Sequence, residues 1–101
     1  MDKAEFEFEK AMHRIYFDAK RECKYAATRY KQMIDKRGGL ASAHHLLKLT
    51  QPENALMKLC ECGRMDLTVE FLVLKEEFQH LFTDAERAIA QARLDQYIGK
   101  C

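Results

Sequence analysis

The sequence predicts an all-α protein: one long N-terminal helix packed on four to five short helices. Three observations predict it. Apolar residues recur at helical spacing through the opening third. The single proline and the four glycines fall between the periodic stretches, where helices stop and start. Apolar residues make up 48% and charged residues 33%, the balance of a packed domain with a solvated surface and not of a disordered chain. The 101 residues suffice for one helical domain, with a long helix over 4–37 and a short-helix bundle over 40–99. They are too few for separate catalytic and binding domains.

Residues 4–37 read as one helix. Phe8, Met12, Ile15, Ala19, Cys23, Ala26, Tyr30 and Met33 step by three or four along one face, with no Pro or Gly among them. Gly38-Gly39 follows as a helix stop. At about 1.5 Å per residue such a helix approaches roughly 50 Å, longer than a compact domain of this size, so it either kinks or projects toward a partner. A second helix runs over 40–49 with Leu40, Ala43, Leu46 and Leu47 inward, broken by Thr50-Gln51-Pro52. Pro52 suits the first turn of a third helix, which carries Ala55, Leu56, Leu59 and Cys60 and stops at Gly63.

Residues 65–82 are ambiguous. Leu67, Val69, Phe71 and Val73 alternate as in a strand, while Leu67, Phe71, Leu74, Phe78 and Leu81 step as in a helix. Helix is preferred, because a lone strand among helices lacks a pairing partner and Asp66 is a good N-cap. A break near Lys75 would give two short helices. Thr83-Asp84-Ala85-Glu86 has the capping-box form and opens a last helix through Ala88, Ile89, Ala92, Leu94 and Tyr97, ending near Gly99.

Bulk properties narrow the function. A net charge of +1 is low for a protein held to nucleic acid by overall charge. No run approaches the roughly 18–20 apolar residues of a membrane span, and the N-terminus lacks the pattern of a signal peptide. The expected setting is cytoplasmic, with Cys23, Cys60, Cys62 and Cys101 as thiols.

Local chemistry is sparse. Cys60-Glu61-Cys62 is not a zinc knuckle, since positions i and i+2 of a helix diverge; adjacent His44-His45 has the same defect. Glu77 and His80 form a single E-x-x-H step, where a di-iron bundle needs two and further glutamates. Ser42 lacks a nucleophile elbow, and Gly38-Gly39 lacks the phosphate-loop pattern. The chain is therefore read as non-enzymatic, with no metal and no cofactor. The densest polar cluster, Arg64, Asp66 and Glu70, reads as a helix–helix corner pinned by ion pairs. Charge is uneven: residues 19–37 carry a balance of +5 and residues 51–101 a balance of −3. Lys20, Arg21, Lys24, Arg29, Lys31 and Arg37, interleaved with Tyr25 and Tyr30, are the candidate nucleic-acid contacts.

From Tyr30 onward a pattern runs through Tyr30-Lys31-Gln32-Met33-Ile34, Gly38-Gly39, Leu46-Leu47, Gly63-Arg64-Met65-Asp66-Leu67-Thr68-Val69-Glu70, Leu81-Phe82-Thr83 and Ala92-Arg93-Leu94. It resembles a small prokaryotic helical domain family of unknown function, found alone or appended to larger proteins that include nuclease-like ones. The G-R-[LM]-D-L-T-V-E stretch is its most specific part. This chain departs at Glu76, after Lys75, where the family pattern favours proline. The resemblance implies an all-α fold, a bacterial or phage cytosolic context and a role in DNA defence or counter-defence; it carries no catalytic residues.

The function expected is a non-enzymatic helical protein-interaction module. Phe6, Phe8, Met12, Ile15 and Tyr16 on the overhanging helix would be covered by a second copy in a homodimer, with a larger protein as a further candidate partner. The alternative is a nucleic-acid-binding accessory using the basic half of the first helix. No membrane contact is expected.

Overall fold

The computed structural model describes residues 2–49 and 54–97, with no strand among them. The expected break at Thr50-Gln51-Pro52, the inward side chain of Ala55, the stop near Gly99 and the thiol of Cys101 lie outside the described residues and side chains. The element order is α1 (Lys3–Cys23), α2 (Thr28–Arg37), α3 (Gly39–Lys48), α4 (Asn54–Glu61), a 3₁₀ turn (Met65–Leu67), α5 (Val69–Val73), a second 3₁₀ helix (Glu76–Leu81) and α6 (Asp84–Tyr97).

The opening helix does not run unbroken to residue 37. Asp2 caps α1 by accepting from the Glu5 N–H at 3.0 Å, and the helix ends at Cys23. Lys24 then takes a left-handed φ of 55°, and its N–H and that of Tyr25 both donate to the Ala19 carbonyl. A left-handed non-glycine residue costs about 1–2 kcal/mol. Folding α2 back onto α1 offsets it: the Tyr30 hydroxyl donates to the Met12 carbonyl at 2.6 Å and Ile34 enters the core. Burial, reinforced by Glu9, pushes the Tyr30 phenol up and keeps it a donor. Ala26, expected on the apolar face, is exposed in the turn. The 21 residues of α1 span about 32 Å, well short of the roughly 50 Å of a helix unbroken to residue 37.

Gly38, with φ 89°, closes α2 and opens α3 in a conformation that L side chains rarely adopt. No local side chain caps α3. The Glu9 carboxylate of α1 accepts from the Gly39 N–H instead. A Cβ on Gly39 would lie within 3.2 Å of the Glu9 Cα and the Met12 Cβ, so this position sets how closely α1 and α3 approach.

The main core is centred on Phe8, whose ring meets Phe78 and Phe82 edge-on at 5.1 and 5.4 Å. Met12, Ile34, Ala43, Leu47, Val73 and Ala90 surround it. Phe8 and Met12 are 0% exposed. The expectation that they form an interface is therefore corrected, because Phe78 and Phe82 cover Phe8, and α2 and α3 cover Met12, within one chain. Ile15 and Tyr16 are half-buried, Ile15 against the same core.

The helical reading of residues 65–82 holds, with the chain turning at Leu74 and Lys75. The N-cap differs. Thr68, not Asp66, caps α5 by accepting from the Phe71 N–H at 3.1 Å, while Asp66 is drawn off to Arg64. Val69, Leu72 and Val73 face inward and Phe71 faces out, since α5 is too short to sustain the longer stripe. The α6 capping box forms as expected: Glu86 N–H donates to the Thr83 hydroxyl at 3.1 Å, and Thr83 N–H to Glu86 at 2.9 Å. Its inward face is rotated. Ala90, Arg93 and Leu94 are buried, while Ala88, Ile89 and Ala92 are exposed.

The cysteines are not all thiols. Cys23 and Cys62 form a disulfide with Cα atoms 5.8 Å apart, and Cys60 is also disulfide-bonded. The first bridge follows from the fold-back, which sets the end of α1 beside the end of α4, where Ala19, Leu59 and Leu67 build a second, smaller core.

Candidate functional site

The polar corner forms in part. The Arg64 guanidinium forks onto Asp66, with Nε and Nη2 at 3.0 and 3.1 Å from its two oxygens, and lies 3.7 Å from Glu22 at the end of α1. The hydrogen bonds from Arg64 hold the Asp66 carboxyl below its ordinary value, against the opposing effect of its partial burial. Glu70 does not join this cluster, correcting that part of the expectation. As a residue of α5 it turns into the protein and pairs with Arg93 of α6 at 3.2 Å.

Arg93 is the polar residue that sequence reasoning missed. It is 7% exposed, and its guanidinium donates to Glu70 and to the carbonyls of Leu46 and Leu49 at 3.0 and 2.6 Å. It thereby adds a donor to the end of α3, where the Leu46 carbonyl also accepts from the Leu49 N–H at 3.3 Å. Its signal in the sequence is faint: Ala90, Arg93, Leu94 and Tyr97 keep helical spacing only if an arginine is allowed on the inner face.

The outer face of α1 carries the large exposed apolar groups of that helix. Phe6 is 51% and Phe17 55% exposed. Eleven residues apart, they stand about three turns apart on one stripe. Lys10 and His13 lie between them, with the Lys10 ammonium 4.6 Å above the Phe6 ring. Tyr16 meets Phe17 edge-on at 5.2 Å. Of the expected interface residues, Phe6 thus lies on this face, while Phe17 was not singled out because it falls off the core periodicity. Charge along α1 is polarised. Asp2, Glu5, Glu7 and Glu9 outnumber Lys3 at the start, whereas Lys10, Arg14, Lys20, Arg21 and Lys24 outnumber Asp18 and Glu22 beyond it.

The six candidate nucleic-acid contacts are split by the turn at 24–27 between the end of α1 and α2. Arg21 is tied to Asp18 at 2.9 Å and Lys31 to Asp35 at 3.0 Å, and Lys31 also sits over the Tyr16 ring. Lys20, Lys24, Arg29 and Arg37 are exposed. Among the described residues, no group of three or more His, Cys, Asp or Glu is placed to hold a metal ion, and no helix is long and apolar enough to cross a membrane. His80 lies 3.7 Å from Asp2, and His44 contacts Glu86 at 2.5 Å.

No family model, no curated protein and no solved structure matches this chain.

Proposed function

We propose that this chain is a non-enzymatic helical interaction module whose contact face is the outer stripe of α1, and that the occupant of that face is a second copy running antiparallel. The observation that carries the reading is the pair Phe6 and Phe17, both more than half exposed on one stripe. In an antiparallel pair Phe6 of one copy meets Phe17 of the other. The acidic start of each helix then lies along the basic remainder of its neighbour, so the charge of α1 complements itself. Burying the exposed half of four phenyl rings contributes about 4–6 kcal/mol before the cost of association, which makes the dimer weak. The bacterial or phage DNA-defence or counter-defence context belongs to this proposal through the motif resemblance alone. The compartment is tied to the cysteines: the bridged form suits an oxidising compartment, whereas the cytoplasmic setting expected from the sequence requires reduced thiols.

The test is light scattering across a concentration series up to the order of 1 mM, with wild type beside Phe6→Ser/Phe17→Ser. Wild type should rise toward twice the monomer mass, and the variant should stay monomeric with an unchanged circular dichroism spectrum. A wild-type monomer throughout overturns the dimer. A monomer that is retained on DNA in a salt-sensitive manner would favour the nucleic-acid alternative instead.

A further inference from the structure

A cavity of about 480 Å³ lies between the second half of α1, residues 25–30 at the turn and the start of α2, the ends of α3 and α4, and the Leu67–Glu70 corner. The volume falls in the range of sites that take a small molecule. Leu46, Leu59, Leu67 and Val69 make its buried wall, and Ala27 at the end of the turn, with Thr28 and Arg29 at the start of α2, completes its lining. This wall also contains the Glu70–Arg93 pair. Every hydrogen bond of Arg93 described above goes to protein: one to Glu70 Oε2 and two to carbonyls. Glu70 is 7% exposed, and no protein donor to its Oε1 is found among the described residues; Ser42 Oγ being the buried side-chain polar atom without a partner among them, Oε1 is an oxygen that solvent in the cavity reaches. A carboxylate oxygen that only water satisfies, in a largely apolar wall, accepts a hydrogen bond from a ligand donor that displaces that water.

We infer that this cavity binds a small, largely apolar molecule carrying one hydrogen-bond donor, with Glu70 Oε1 accepting that donor and the leucine and valine side chains enclosing the apolar body. The carboxylate itself disfavours an anion, and Glu70 already neutralises the Arg93 charge beside it. The aromatic rings of Tyr16, Tyr25 and Tyr30 in the lining favour a flat ring system over a branched aliphatic one.

The probes are 2-naphthol and 2-methoxynaphthalene, which share a ring system and differ in the O–H. The chain has no tryptophan, so naphthalene fluorescence is read against tyrosine alone. Saturable one-to-one binding of 2-naphthol is expected, tighter than that of the methyl ether by a factor of about 10–100. Glu70→Gln should narrow that ratio. Because altering Glu70 also alters its pairing with Arg93, Ala27→Trp serves as the second variant. It fills the cavity from the turn without touching the pair, and should abolish binding while leaving the circular dichroism spectrum unchanged. No saturable binding, equal affinity for the two probes, or full binding to a folded Ala27→Trp would each overturn the inference. Neither probe reports on the α1 stripe, so failure here is distinguishable from failure of the dimer.

Discussion

Replacing Arg93 with leucine removes the most connected side chain in the interior. The substitution leaves the Glu70 carboxylate buried without its cation and takes the donor from the Leu46 and Leu49 carbonyls at the end of α3. Removing one member of a buried ion pair costs about 3–5 kcal/mol. An unpaired buried carbonyl adds about 1–3 kcal/mol where water cannot reach it, so the upper half of that range is expected. The stability of a domain totals only about 5–15 kcal/mol, and Arg93→Leu should therefore sit near its unfolding threshold. Urea titration followed by circular dichroism reads the loss directly, at a slope of about 1–3 kcal/mol per molar for a small domain. The midpoint should move down by more than about 1 M. Glu70→Leu/Arg93→Leu should recover part of the loss, because the stranded charge is gone while the Leu46 and Leu49 carbonyls still lack the arginine donor. A single variant that loses less than about 1 kcal/mol, the range of an exposed ion pair, would refute the reasoning. So would a double variant no more stable than the single one.

Two further outcomes follow from the covalent and electrostatic links. The Cys23–Cys62 bridge spans 39 residues of sequence, and loop-closure entropy assigns such a cross-link about 4 kcal/mol. Cys23→Ser should lose about 2–4 kcal/mol in the same titration, and a loss below about 1 kcal/mol would show that the bridge constrains little. The Glu86 carboxyl lies below its ordinary value of 4.5: burial pushes it up, but the Thr83 N–H and the His44 contact prevail. Asp66 lies below its ordinary 3.8 through Arg64. Both groups bind protons more tightly in the unfolded chain, so their stabilisation is complete above pH 4.5 and is lost as pH falls through their folded values. The urea midpoint should thus fall below pH 4.5 in wild type and fall less steeply in Glu86→Gln. Identical slopes would remove Glu86 from the acid transition.

Much of the fold is legible because it depends on local chemistry. Thr83 and Glu86 declare the start of α6 through a reciprocal bond three residues apart, and Ala43, Leu46 and Leu47 mark the buried side of α3. What is hidden depends on contacts distant in sequence. Nothing near Lys24 announces a turn: it carries no glycine or proline, and the apolar spacing continues through Ala26. The turn is selected by what it brings together, Tyr30 on Met12 and Cys23 on Cys62. The same turn changes the candidate interface, because it brings Tyr30 over Met12, while Phe78 and Phe82 cover Phe8 and leave Phe6 and Phe17 outside. Arg93 is hidden for a different reason. Periodicity counts an arginine as surface, and only the pairing with Glu70 and the exposed carbonyls of α3 reveals why one is tolerated inside.

The ties made by Arg93 also bear on how the polypeptide matures. The residues that it joins, Leu46, Leu49 and Glu70, leave the ribosome well before it does, and α6 is the last described helix to emerge. Until then a nascent chain holds a glutamate and two peptide carbonyls with no cation to receive them, and α3 and α5 have only part of their neighbours. The emergence of α6 therefore completes this interior, and a chain cut short before Arg93 would be a natural substrate for chaperones and proteases.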